Sequence, residues 1–168
     1  MGCGDTIRGA MGFRVFLSHS LDPTEQGLAW RLQTLAAAHG IEVHVPQRGL
    51  ALSSSALAAL RNAIDRSDCV LAIITAKADA SVQKELKYAL EKRKLVIPIV
   101  HSDFVKHPLL AQFPRVFAFS PWHNPGAVEA DVVDFLKQQS LSKENRQAVG
   151  ALVALGVGLL LLASLAQE

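Results

Sequence analysis

Glu85 is the residue of this chain whose setting asks for a chemical explanation. It lies in SVQKELKYALEKRKLVIPIV, which begins at Ser81. At about 100° per residue the first half of that stretch is an amphipathic helix. Val82, Leu86, Ala89 and Leu90 make an apolar stripe, while Lys84, Lys87 and Glu91 lie on the opposite side. Glu91 has Lys87 and Lys94 at helical spacing, the ordinary arrangement of a surface ion pair. Glu85 falls at the stripe's edge, and its neighbours at that spacing are Ser81, Val82, Tyr88 and Ala89, none of them cationic. A part-buried carboxylate without a partner is disfavoured by desolvation. It therefore needs either a tertiary partner or a ligand, and helix geometry alone leaves both open.

Other chemistries find no support in the residues. The phosphate-cradling patterns G-x-G-x-x-G and G-x-x-x-x-G-K-[ST] are absent. No G-x-S-x-G nucleophile elbow occurs, and Ser18 and His19 are merely adjacent. The six histidines show no ligand-like spacing beside Cys or Glu, so no metal site is expected. A net charge of +2, with no Lys/Arg stripe interleaved with aromatics, argues against a nucleic-acid groove. Cys3 and Cys69 are too few and too far apart for a disulfide framework. Cys69 opens an apolar run and reads as a small buried hydrophobe.

Several elements must position Glu85. FRVFLS from Phe13 reads as a buried strand, followed by a helix over about Thr24 to His39 that Gly40 closes. IEVHV from Ile41 alternates as a strand, and a serine of the loop PQRGLALSSS can cap the next helix. CVLAIIT from Cys69 is continuously apolar, as a strand covered on both faces should be. The Glu85 helix, the strand LVIPIV from Leu95, a short HPLLAQF helix, the strand RVFAF from Arg115 and a helix from Ala127 complete the series. Strand and helix alternate five times, the pattern of a flavodoxin-like α/β fold with a five-stranded parallel sheet. With strand order 2-1-3-4-5, the ligand crevice lies beyond the carboxyl ends of the first and third strands. Those ends are LSHS at Leu17 to Ser20 and TAKADAS at Thr75 to Ser81, with Glu85 in the opening turns of the helix that follows. Ser18, His19, Ser20, Thr75, Lys77 and Ser81 are the candidate substrate contacts by position. Had the third strand ended in an acidic residue, a phosphoacceptor would be expected; Thr75-Ala76 stands there instead.

The composition is 50% hydrophobic with a mean hydropathy of +0.24, and one segment explains much of it. Residues 148–166, AVGALVALGVGLLLLASLA, carry no charge and have about the length a bilayer-spanning helix needs. Lys137 precedes this tail, as do Lys143 and Arg146 in a basic linker, 141–147, which places the domain at 13–140 on the cytoplasmic side of a single C-terminal anchor. Gly150, Ala154 and Gly158 share one face of that helix and would let two such helices pack closely. Residues 1–12 read as a flexible N-terminus without a signal peptide. MGCGDT matches a myristoylation pattern with a neighbouring Cys3, a match that chance explains.

The segments FRVFLSHSLD, GIEVHVPQRGL, AIDRSDCVLAIIT and SVQKELKYALEKRKLVIPIV together resemble a Toll/interleukin-1 receptor (TIR) domain over Phe13 to about Gln139. FRVFLSHSLD is similar to the family's box 1, and the loop from Pro46 to Ser53 stands where its BB loop would. Ser81 occupies a position where members often carry Trp, and the loop lacks their usual Asp and Pro-Gly pair. The resemblance implies that Glu85 is the catalytic residue of an NAD+ glycohydrolase or cyclase, with NAD+ as substrate and no cofactor. It implies activation by self-association, with Pro46, Gln47, Arg48, Gly49 and Leu50 as assembly contacts, under an unknown upstream activator. It implies a role in immune or anti-phage defence. The alternative is a non-enzymatic TIR adaptor in which Glu85 is satisfied across the fold; a small-molecule sensor on the same scaffold is a third reading.

Overall fold

The apolar run CVLAII lies in the middle of a parallel sheet, where neighbours on both sides and helices on both faces exclude water. The structure, a computed structural model, describes residues 12–48, 53–75, 79–120, 122 and 126–141. Strands β1 (Arg14–Ser18), β2 (Glu42–His44), β3 (Cys69–Ile74), β4 (Leu95–His101) and β5 (Phe117–Phe119) pair in the order β2-β1-β3-β4-β5, all parallel. This is the expected architecture and order. Helices α1 (Pro23–Ala37), α2 (Ser54–Asp65), α3 (Ala80–Glu91) and α4 (Ala127–Leu141) supply the crossovers and the final element, with 3-10 turns at Ser102–Phe104 and Pro108–Gln112.

Side-chain alternation divides the interior into two cores. Cys69, Leu71 and Ile73 face the α1 and α4 side, with Leu28, Leu32, Val132 and Leu136. Val70, Ala72 and Ile74 face the α2 and α3 side, with Ile64, Val82, Leu86 and Ala89. Every residue of β3 is buried because each face has its own helical layer.

The helix ends follow local rules. Asp22 caps α1, accepting from Thr24 N at 2.8 Å, and Pro23 occupies the first helical turn. Ser53 and Asp79 cap α2 and α3 through Ala56 N and Val82 N. Gly40, at φ +74°, ends α1, and Ile41 N donates to Ala36 O across the turn. The same wrapping closes α3: Lys94 N donates to Ala89 O and Arg93 N to Leu90 O. There the left-handed residue is Arg93, at φ +59°. The helix starting at Thr24 in the sequence reading begins one residue earlier, and the last strand is shorter than RVFAF, because Arg115 and Val116 precede its first ladder pair, Ile99 with Phe117.

Among the described residues no helix is long and apolar enough to cross a membrane. The tail 148–166, with Gly150, Ala154 and Gly158, lies outside the described residues, as do Gly2, Cys3, Gly49, Leu50 and Lys77.

Candidate functional site

The carboxyl ends of β1 and β3 meet where the sheet order reverses, and the chain there is rich in polar side chains that the fold buries. Ser18 ends β1 fully buried, and His19 and Ser20 follow at 3% and 7% exposure. Glu85 projects from the second turn of α3 toward them and is 2% exposed. The edge-of-stripe position read from the helix alone is thus corrected to a fully interior one. The helix packs against the sheet through Val82, Leu86 and Ala89, and the β1 end and the segment after β2 cover the flank that carries Glu85.

Three donors converge on this carboxylate. Ser18 Oγ donates to Oε2 at 2.5 Å. Arg48 forms a bidentate pair with it, one guanidinium nitrogen on Oε1 and the other on Oε2 at 2.7 Å. Arg48 Nε donates in turn to the His19 carbonyl at 2.8 Å, which fixes the plane of the guanidinium. The two charged side chains are 8% and 1% exposed. Fork-to-fork geometry with an added hydroxyl is the arrangement that offsets the desolvation of a buried ion pair. The partner missing from the helix is therefore supplied across 37 residues of sequence. Arg48, expected as an assembly contact, directs its guanidinium to Glu85 within this chain. Pro46 beside it is buried and Gln47 is exposed.

A second buried carboxylate organises the same end of the sheet. Glu25, 1% exposed, accepts from Ser20 N at 2.7 Å through Oε2. Its Oε1 accepts from Thr75 N at 3.1 Å and Thr75 Oγ1 at 3.0 Å. Glu25 thereby ties the exits of β1 and β3 together. Ser20 and Thr75, expected to meet substrate, direct these groups to Glu25, and Ser20 Oγ accepts from Asp22 N at 3.1 Å. Ser81 stays half-buried in the first turn of α3. The sequence carried a signal for Glu25: D-P-T-E has the spacing of a capping box. A capping-box glutamate would return to the backbone N–H of its own cap, whereas Glu25 reaches past it to two strand ends.

Two hollows flank the Arg48–Glu85 pair. One, of about 540 Å³, lies between α1 and the segment leaving β2 and includes His19, Trp30, Pro46 and Arg48 in its wall. The other, of about 530 Å³, lies between α2 and α3 and includes Leu60, Lys84, Glu85 and Tyr88. Chemically, an anionic carboxylate at a sheet's switch point can steady positive charge developing on a sugar ring, provided the sugar reaches it. In this arrangement the Arg48 guanidinium engages both carboxylate oxygens. No group of His, Cys, Asp and Glu suited to a metal ion occurs among the described residues.

Comparison with known proteins agrees with this geometry at the level of fold. Among curated proteins none matches the chain. Among solved structures, the TIR domains of the activated Roq1 resistosome that directly recognises the pathogen effector XopQ are similar, with 19% identity and a TM-score of 0.51. That match covers 90% of this chain and 84% of the other. The Clostridium botulinum CMP N-glycosidase BcmB is similar at 15% identity and a TM-score of 0.52, covering 74% of this chain and 98% of its own. Both likenesses concern the fold alone. The family model for the TIR domain matches residues 15–145, most of the chain, from the second residue of β1 to beyond α4, and the chain therefore belongs to the TIR domain family.

Proposed function

We propose that this TIR domain cleaves the N-glycosidic bond of a nucleotide, with NAD+ as the substrate, and that Glu85 is its catalytic residue. The reading rests on one observation: a carboxylate held at the switch point between β1 and β3 with its oxygens aligned by Ser18 and Arg48. In the reaction the bond between ribose C1′ and the nicotinamide nitrogen breaks, and nicotinamide leaves with the bonding pair. Positive charge develops on the ribose and is steadied by Glu85. Water adds at C1′ and releases a proton, giving ADP-ribose; capture by the adenine ring of the same molecule would give a cyclic product. The shared fold with a CMP N-glycosidase makes CMP the second substrate to assay.

The bidentate pair means that catalysis requires Arg48 to leave the carboxylate. Self-association is the proposed trigger, since Arg48 belongs to the loop expected to make assembly contacts. The tail 148–166 is proposed as a single-span anchor, holding the domain at the cytoplasmic face and concentrating it in two dimensions. Such a protein would act as an effector in immune or anti-phage defence.

The same ion pair favours a second reading, a non-enzymatic adaptor in which Glu85 is structural. The deciding measurement is release of nicotinamide from NAD+, and of cytosine from CMP, by the full-length chain at rising density on vesicles. Release by wild type that Glu85→Gln abolishes supports the enzyme. Absence of release from either substrate at every density, with the fold intact, overturns the enzyme reading.

A further inference from the structure

We infer that the hollow between α1 and the segment leaving β2 is a binding site for a nucleoside monophosphate, whose phosphate draws Arg48 away from Glu85. The site has its own chemistry, separate from the carboxylate. His19 is 3% exposed, and its Nδ1 lies 2.7 Å from the Ser20 carbonyl. A carbonyl only accepts, so Nδ1 carries the hydrogen. In the neutral ring Nε2 then presents a lone pair. That Nε2 is buried without a hydrogen-bond partner, and His19 forms part of the wall of the hollow. A buried acceptor left unmatched inside a native fold calls for a donor from elsewhere, such as a ribose hydroxyl or an exocyclic amine.

Two further groups narrow the ligand. Trp30 stands on the same wall and is 62% exposed, offering an indole face for a flat ring. Arg48 also belongs to this wall, so its guanidinium lies between the hollow and Glu85. Gln26 and Gln33 line the side along α1, each tethered by its amide nitrogen to a backbone carbonyl, at 2.9 and 3.0 Å. A flat ring for Trp30, a donor for His19 and an anion for Arg48 together describe a nucleoside phosphate. The volume, about 540 Å³, is ordinary for a small-molecule site. A guanidinium that pairs bidentately with a carboxylate pairs equally well with a phosphate. The ligand's phosphate and Glu85 therefore compete for one cation, and binding uncovers the carboxylate.

Binding itself is independent of catalysis; only its consequence for Glu85 rests on the proposed activity. The test uses the full-length chain with Trp122→Phe, so that Trp30 alone reports. AMP should quench the fluorescence saturably. Adenosine should bind about tenfold more weakly, the worth of one charge-assisted hydrogen bond. Glu85→Gln removes the competitor, so that the phosphate no longer has to break a buried pair, and should tighten AMP binding by at least about tenfold, while adenosine binding stays unchanged. This gain is opposite in direction to the loss of activity expected of the same variant, so the two readings fail separately. Saturable quenching that is equal for AMP and adenosine overturns the anion site, as does no quenching at all. A folded Glu85→Gln protein with unchanged AMP affinity overturns the competition. Should that variant not fold, the wild-type Arg48 Nε–H resonance decides: it must move with AMP and not with adenosine, and a resonance that moves with neither refutes the inference.

Discussion

Truncation of Arg48 is the perturbation that tests the site most directly. In Arg48→Ala the Glu85 carboxylate stays buried, keeps only the Ser18 hydroxyl, and loses both guanidinium bonds. Removing one partner of a buried ion pair costs about 3–5 kcal/mol, far more than the ~0–1 kcal/mol of an exposed pair. The pair's side chains, at 8% and 1% exposure, belong to the buried class. For a domain of this size that loss corresponds to a drop of roughly 10–18 °C in Tm, taking about 2.1 cal/mol/K of unfolding entropy per residue. Glu85→Leu should lose less, because the guanidinium can turn to solvent at the mouth of the hollow. The double variant Arg48→Met with Glu85→Leu should recover most of the loss, since apolar replacements of similar volume leave no charge unpaired. Thermal unfolding followed by circular dichroism on all three variants checks this order of losses. A loss below about 1 kcal/mol for Arg48→Ala would mean that the guanidinium does not sit on the carboxylate in solution. The closed-site account, and the competition built on it, would then be refuted.

Three other outcomes are expected. Glu25→Ala strips a shared acceptor from Ser20 N, Thr75 N and Thr75 Oγ1. It should cost about 3 kcal/mol in urea denaturation, at one to three per buried group left unmatched; a loss below 1 kcal/mol would show that the two strand ends hold without it. Arg93→Gly should raise stability by about 0.5–1 kcal/mol, because glycine adopts the positive φ without steric penalty, and a lower melting temperature would contradict that cause. Burial pushes the Cys69 thiol well above its ordinary range, aided by the Asp68 charge. In a Cys3→Ser background the native chain should therefore not react with a disulfide reagent at pH 8, and should release one equivalent in denaturant; fast native labelling would contradict the packing of β3.

The sequence by itself determined the fold to a considerable depth. Periodicities of 2 and 3.6, five strand segments, a serine cap before α2 and the Gly40 stop are local properties, and local properties survive the absence of a neighbour. From the alternation came the parallel sheet, and from the sheet order came the switch point at Ser18 and Glu85. The two-sided burial of CVLAII was equally legible, since a strand covered on both faces has no polar side to show. Only the tertiary structure decided what Glu85 meets. Its partner Arg48 lies 37 residues away, beyond a strand and a helix, and no spacing rule links a guanidinium in a loop to a carboxylate on another element. The same holds for Glu25, whose local spacing points to a helix cap while its oxygens bridge two strand ends, and for His19, whose unmatched nitrogen exists only because α1 and the β2 exit enclose it. Helix geometry sets the direction of a side chain, but hydrogen bonds form within about 3 Å, and that proximity is created when the layers close.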